Sequence, residues 1–372
     1  MLTYADIFSG CGGLSHSFYT KKQFRGLLAV DAWSAAARVF STNHPGVPFH
    51  TKDLSEKREI EFVVRSLKNK CDILLGGPPC QGFSTLGKRR DSDKRSSLVD
   101  SFLKICLDVN PKIIVIENVP GITSKKHPSG IKYSDLVVST LQSDQAGASY
   151  DLETTTIDAL DYGLAQTRKR WFLLAVREDV NRKGDVLETI RSQIKRRRAR
   201  KRSLLKDAIG DLPHIESGGG AEVMIVRNNG SSKVIYNHRA MNHTKRLVER
   251  FSHVPVGGGL PDVPRELLTK HLKRMLDGAY GNGGHIKNIY GRLDWDKPAG
   301  TIVAGIDKIT CGRFVHPEAN RLLTPRECAR IQSFPDDFRF QGSLVAQYYL
   351  IGNAVPPRIS AVLADSIQAA MI

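Results

Sequence analysis

The sequence has no uninterrupted apolar stretch long enough to span a bilayer, no C-x-x-C pair, and too few acids to balance its bases. The first absence argues against a transmembrane helix. Met1 to Asp6 also lack the basic start and apolar core of a signal peptide, so an intracellular, cytoplasmic protein is expected. Without C-x-x-C there is no sign of a zinc ribbon or a disulfide framework. Cys11, Cys71, Cys80, Cys106, Cys311 and Cys328 are scattered as reduced thiols would be, and no metal site is expected. The shortage of acids leaves 55 Lys and Arg against 38 Asp and Glu, a formal charge of +17, which favours a nucleic-acid partner without choosing DNA or RNA. A full dinucleotide fingerprint is missing too. Gly10 and Gly12 fit G-x-G, but Ser15 stands at the third glycine position, which argues against NAD.

What is present is a series of short apolar runs, each ending in chemistry. Thr3 to Phe8 reads as a strand, followed by the loop Ser9-Gly10-Cys11-Gly12-Gly13-Leu14-Ser15 and a helix from Ser15 or His16. Glycines there let backbone amides approach a cofactor, and the helix N-terminus suits a negative group. A second strand, Gly26 to Val30, ends at Asp31, where an acid binds ribose hydroxyls or caps the helix that follows. Asp53 reads as a contact to an adenine amino group or as a simple loop acid.

The run Cys71 to Leu75 leads into Gly76-Gly77-Pro78-Pro79-Cys80-Gln81-Gly82-Phe83-Ser84, a stiff segment that would hold one thiol at the mouth of an α/β sheet. Taken alone, such a cysteine is more often a small buried hydrophobe than a nucleophile. After a basic surface loop, Lys88 to Arg95, and a helix from Leu98 to Val109, the strand Ile113 to Ile116 ends at Glu117-Asn118-Val119. That acid would share the rim with Cys80. Arg168 and Arg170 precede the apolar run Trp171 to Val176; two apart in a strand, they would share a face.

Between Arg191 and Lys206, nine of sixteen residues are Lys or Arg and none is acidic, the composition of a phosphate-binding arm or of a solvated helix face. From Ser203 to about Asn288 the chain is rich in Gly, Pro, His and Asn and reads as a loop-dominated second domain. Thr324 followed by Pro325 marks a helix start. Beyond Ile351 to Pro357 an amphipathic helix carrying Ile359, Val362, Leu363 and Ile367 needs a core to cover.

Six segments, Asp6 to Ser15, Gly76 to Ser84, Glu117 to Val119, Gln166 to Arg170, Arg321 to Pro335 and Gly352 to Pro357, together resemble in order and spacing the C5-cytosine DNA methyltransferase family of bacterial type. The resemblance implies an α/β fold, with a Rossmann-like class I S-adenosylmethionine-dependent methyltransferase domain over residues 1–186, completed by 352–372. A smaller inserted target-recognition domain would span 187–324 and a hinge region 325–351. It also implies methyl transfer from S-adenosyl-L-methionine, leaving S-adenosyl-L-homocysteine, to C5 of a flipped cytosine in a specific double-stranded DNA sequence. A monomer associated with the nucleoid through DNA is expected, with a restriction endonuclease as a candidate partner. The rival readings are the tRNA-methylating branch of the family and an inactive DNA-binding protein. His316-Pro317-Glu318 would suit a zinc deaminase, but the P-C-x-x-C partner is missing.

By the same resemblance, Cys80 adds to cytosine C6, and Glu117, its pKa raised by partial burial, acts as general acid at N3. Arg170 contacts O2 and Arg168 orients Glu117 or lowers the thiol pKa, roles that could be exchanged. The cofactor pocket takes Phe8 on adenine, the backbone of Ser9, Gly10, Cys11, Gly12, Gly13 and Leu14, then Asp31 with Ala32 on ribose. Asp53 and Leu54 meet adenine, Pro79 and Leu98 add to the pocket, and Asn353 and Ala354 close it. DNA contacts fall to Gln81, Ser84, Arg95, Gln166 and Thr301.

Overall fold

A computed structural model of the chain describes residues 1–79, 97–143, 149–228, 231–278 and 284–372. The chain divides into two compact units. The first comprises Met1–Tyr162, Lys169–Ala199 and Ala354–Ile372, and the second comprises Gly163–Arg168 and Arg200–Asn353.

The first unit is built on a seven-stranded sheet. In chain order its elements are β1 (Leu2–Ile7), α1 (His16–Tyr19), β2 (Phe24–Asp31), α2 (Ser34–Asn43), β3 (Phe49–Thr51), α3 (Lys57–Leu67), β4 (Ile73–Gly76), α4 (Ser97–Val109), β5 (Ile113–Asn118), α5 (Tyr133–Gln142), β6 (Tyr150–Asp158), β7 (Lys169–Arg177), α6 (Glu178–Asn181) and α7 (Val186–Arg196). The C-terminal helix, Pro357–Met371, completes it. Across the sheet the order is β3-β2-β1-β4-β5-β7-β6. β1 to β5 pair in parallel, while β7 lies antiparallel between β5 and β6.

Strands buried on both faces explain the unbroken apolar runs of the sequence. Ile60, Val63 and Leu67 of α3, Phe102 and Cys106 of α4, and Val137 and Leu141 of α5 pack into one core with Leu74, Ile114 and Ile116. The C-terminal helix buries Ile359, Val362, Leu363 and Ile367, as its pattern requires, and packs against α1 and α7. At Gly76 a Cβ would come within 2.3 Å of the Phe102 ring, so only glycine lets α4 lie this close to β4. Strand order reverses between β1 and β4, which opens a crevice beyond their carboxyl ends where ligands bind in such sheets.

The second unit contains a two-stranded hairpin, β8 (Gly220–Asn228) with β9 (Ser231–Arg239), and helices at Leu205–Ile209, Lys245–Ser252, Lys270–Leu276, Pro325–Ile331 and Leu344–Asn353. Long stretches of irregular backbone leave carbonyls without regular partners, and buried arginines supply the donors. Arg292 donates to the carbonyls of Val254, His316, Ala319 and Phe251, and Arg326 to those of Tyr236, Pro335 and Phe338. Thr324 caps the Pro325–Ile331 helix as expected, its side chain accepting from the Glu327 amide. Glu327 is also gripped by Arg321 through two 2.8 Å bonds.

Burial pushes the Glu327 carboxyl up, but the attraction of Arg321 wins and holds it at about 2. Because the folded pKa is depressed, this stabilisation is present above the ordinary carboxylate range and is lost as pH falls toward that value. Glu327→Gln leaves the Arg321 charge buried without a counterion and should cost about 3–5 kcal/mol in urea unfolding. A loss below about 1 kcal/mol, the scale of a surface ion pair, would show that the pair is not what holds this unit.

Candidate active site

Two strand ends of the first unit meet at the carboxyl rim of its parallel strands. β5 finishes in Glu117 and Asn118, and β4 finishes at Gly76, from which the chain continues through Gly77, Pro78 and Pro79 toward residue 80. The buried Asn118 side chain donates from Nδ2 to the Pro78 carbonyl at 3.2 Å. Its Oδ1 accepts from the Val119 amide at 2.8 Å, which fixes the carboxamide orientation. A Cβ on Gly77 would lie 3.6 Å from Glu117 Oε2, so the two segments run side by side. Arg170 of β7 reaches Glu117, Nε to Oε1 at 3.2 Å, with the two side chains only 17% and 13% exposed. One of its terminal nitrogens donates to the Lys169 carbonyl.

Arg168 is placed differently from the expectation that it orients Glu117. It precedes β7, so strand alternation does not govern it. Its guanidinium is buried in the second unit, donating to the carbonyls of Ile302 at 2.9 Å and Gly352 at 3.2 Å. Gln166 is likewise enclosed in that unit rather than offered to DNA. Its Nε2 donates to Gln332 Oε1 and Ile331 O, and its Oε1 accepts from Ile302 N. The Thr301 hydroxyl donates to the Thr167 carbonyl at 2.7 Å. Cys80, Gln81, Ser84 and Arg95 lie outside the described residues. The described cysteines are poor nucleophiles: burial pushes the thiols of Cys11 and Cys71 up to about 12, those of Cys106 and Cys328 well above their usual range, and raises that of Cys311.

Beyond β1 the glycine loop is locked from several sides. Phe8 sits at φ +62, a left-handed conformation costly for an aromatic residue, and its ring lies 6.2 Å from that of Phe102. Asp31 does not cap α2, which begins at Ser34 after Trp33. Its two oxygens accept instead from the amides of Gly10 and Trp33, each at 2.9 Å. Gly12 adopts φ +89, and a Cβ there would come within 2.4 Å of His44. His44 is buried, stacks on Phe40, and shares a 3.2 Å hydrogen bond with His16. Burial, with His16 adding to it, lowers the His44 pKa to about 3, so the ring backs the loop in neutral form. From the chain's far end, the Val355 carbonyl would lie 2.3 Å from a Cβ on Gly13, and Ser360 donates to Leu14 O. Asp53 follows β3, exposed, its carboxylate accepting from the Ser55 amide, while the neighbouring Leu54 is buried. Asn353, exposed, ends the Leu344–Asn353 helix.

Asp6 is a feature that sequence reasoning missed. It sits on β1, 1% exposed, and neither carboxylate oxygen has a hydrogen bond of normal length. Burial raises its pKa to about 7, with Ser15 pulling the other way and Asp31 adding to the rise. The signal was an acid inside an otherwise uncharged strand. Among the described residues no group of His, Cys, Asp and Glu could hold a metal ion, and no helix is long and apolar enough to cross a membrane.

The family model for the C-5 cytosine-specific DNA methylase matches residues 2–369. Type II methyltransferase M.DdeI of Desulfomicrobium norvegicum is 34% identical, over 98% of this chain and 88% of its own length. Type II methyltransferase M1.HphI of Haemophilus parahaemolyticus is 31% identical, over 98% and 86%. Among solved structures, a prophage-encoded E. coli protein described as a DNA modification methyltransferase shares the fold with a TM-score of 0.72 at 24% identity, over 99% of both chains. The S. pombe Dnmt2 methyltransferase does so with a TM-score of 0.57 at 17% identity, over 100% of both. A family match running from residue 2 to residue 369, with relatives at 34% and 31% identity over nearly all of the sequence, leads to one conclusion: the chain belongs to the C-5 cytosine-specific DNA methylase family and is a DNA (cytosine-5)-methyltransferase.

Proposed function

We propose that the enzyme methylates a cytosine flipped out of duplex DNA, through transient addition of the Cys80 thiolate to C6 while Glu117 acts at N3. The observation that carries this reading is the anchoring of Glu117 beside the segment that leads to Cys80. Arg170 holds the carboxylate, and the next residue, Asn118, holds the Pro78 carbonyl. The chemistry requires that proximity. C5 of cytosine is a weak nucleophile, and forming an S–C6 bond shifts the ring electrons toward N3 and O2 and leaves C5 enamine-like. A proton or hydrogen bond from Glu117 to N3 relieves the developing charge. Arg170, with guanidinium donors beyond those used on Glu117 and Lys169, is suited to O2. Arg168, committed to backbone carbonyls, acts as a structural brace in this scheme. Loss of the C5 proton and expulsion of Cys80 as thiolate then restore the aromatic ring.

Bound S-adenosyl-L-methionine would supply the methyl group on an electrophilic sulfonium. Two features of the first unit fit such a ligand. Asp6 is a buried carboxylate whose oxygens have no hydrogen bond of normal length to a described residue, suited to a group of positive charge, and a Cβ on Gly10 would meet no described residue within 4 Å. The residues that would hold the ligand are Phe8, the Gly10 to Leu14 backbone, Asp31 on ribose, and Asp53 with Leu54 on adenine. Reading of base edges would fall to the second unit, whose hairpin and loops have the variety that direct readout needs. Flipping would cost roughly a few kcal/mol, recovered in pocket contacts.

Cys80→Ala should abolish methyl transfer to duplex DNA and keep DNA binding measurable; full activity in that variant would refute the adduct. Glu117→Gln should lower kcat by about 10²-fold or more, and an unchanged rate would remove the acid. With labelled methyl donor, incorporation into tRNA alone would sink the duplex-DNA reading. Asp6 gives a separate test. Its folded pKa is raised, so the unfolded chain ionises first and stability falls as pH rises toward 7. Asp6→Asn should therefore raise the melting temperature of the ligand-free protein above neutral pH, by roughly 2–4 °C per kcal/mol recovered, while weakening calorimetric binding of S-adenosyl-L-methionine about tenfold or more (~1.4 kcal/mol). Unchanged affinity would contradict the role given to Asp6.

A further inference from the structure

α7 ends at the carboxyl rim of the parallel strands. β7 enters the sheet there, since Asn118 at the end of β5 pairs with Trp171, and β6 leaves it there, since Asp158 pairs with Lys169. α7 then runs back from the opposite edge, and the Ala199 amide donates to the Asp161 carbonyl just beyond the end of β6. Its inner face is apolar, with Val186, Ile190 and Ile194 buried. On the outside, Lys195, Arg196 and Arg198 are exposed, as is Lys169 at the start of β7.

None of these four cations forms an ion pair with another described residue, whereas Arg191 on the same helix pairs with Glu188 and with Glu153 of β6. Arg197, in the same run, is turned inward to Gln193 and to Asp365. The macrodipole of α7 gives a reason for cations in its last turn, which holds Lys195 and Arg196. It gives none for Arg198, nor for Arg200, Lys201 and Arg202, which follow in the chain and are also exposed.

We propose that Lys195, Arg196 and Arg198 at the end of α7, with Lys169 beside them, form a phosphate-binding surface for the DNA backbone flanking the target cytosine. This rests on the reading of duplex DNA as substrate. A duplex is far wider than one base. One that presents a cytosine to Glu117 must lay its backbone along neighbouring parts of the rim, where unpaired cations displace condensed counterions and contribute affinity without reading sequence. An acidic protein segment is the competing occupant of such a surface, and the salt dependence of DNA binding separates the two.

The test measures affinity for a fluorescein-labelled duplex of arbitrary sequence against salt concentration. Three proteins are compared: the unaltered enzyme, the rim variant Lys195→Gln/Arg196→Gln/Arg198→Gln, and a control. The control, Lys22→Gln/Lys68→Gln/Lys70→Gln, removes three exposed cations preceding β2 and β4, at the opposite edge of the sheet. The slope of log affinity against log salt should fall in magnitude by about two to three in the rim variant, from roughly 0.9 per phosphate contact. It should hold in the control, with melting temperature and S-adenosyl-L-methionine binding unchanged in both. Lys195→Arg, which keeps the charge, should keep the slope. An unchanged slope in a folded rim variant overturns the proposal and leaves the substrate reading standing, with an acidic protein as the remaining occupant. An equal loss in rim and control variants also overturns it, since net charge alone would then be acting. Failure of the unaltered enzyme to bind duplex DNA overturns the substrate reading itself.

Discussion

The ion pair between Glu117 and Arg170 depends on one topological reversal. Had β7 run parallel to β5, its first residues would lie at the far edge of the sheet. Because it runs antiparallel, it enters where β5 ends, and an arginine at its second position faces an acid at the fifth position of β5. The same rim receives the Gly77-Pro78 segment from β4, tied down by Asn118. Acid, cation and the segment leading to residue 80 are thus brought together by backbone hydrogen bonding before any side chain chooses a rotamer. In the reaction proposed above, a site held this way would keep its geometry with little reorganisation, as electrostatic stabilisation of a charged ring demands.

Buried charge is used in two opposite ways. Glu327 is enclosed with Arg321 and the Thr324 cap, so its ionised form is compensated and braces the second unit. Asp6 is enclosed without such compensation, and its pKa rises where that of Glu327 falls. An isolated buried acid destabilises the ligand-free protein, so its place on β1 beneath a glycine loop is a reason to expect a cationic ligand there. The loop itself has little freedom, held by Asp31 below, His44 behind and Val355 from the chain's end.

Much of the first unit was legible because its strands are buried on both faces. Runs such as Ile113 to Ile116 cannot be amphipathic, and each stops where a polar residue reaches the rim. Thr324-Pro325 and the stripe Ile359, Val362, Leu363 and Ile367 were equally direct, since capping and helical periodicity are local. What failed to show depended on distant partners. Arg292, Arg321 and Arg326 look like surface residues in sequence and prove buried, because irregular backbone needs donors that no local pattern announces. Gln166 and Arg168 stand beside Arg170 in the chain yet are enclosed in the other unit. The β8–β9 hairpin was hidden because Val223, Ile225 and Val234 point to solvent, so the apolar alternation marks no core-facing side. In the sequence Asp31 fits a cap or a ribose ligand alike, and its hold on Gly10 depends on the fold.

The most direct measurement is covalent trapping at Cys80. Duplex DNA carrying 5-fluorocytosine offers C5 a substituent that cannot leave as a proton does, so an enzyme that adds a thiolate to C6 and methylates C5 stays attached. After incubation with S-adenosyl-L-methionine and proteolysis, mass spectrometry should find the methylated fluorocytosine adduct on the peptide containing Cys80, and none in Cys80→Ala. Methylation of ordinary duplex DNA with no adduct, or an adduct on another cysteine, would contradict the account.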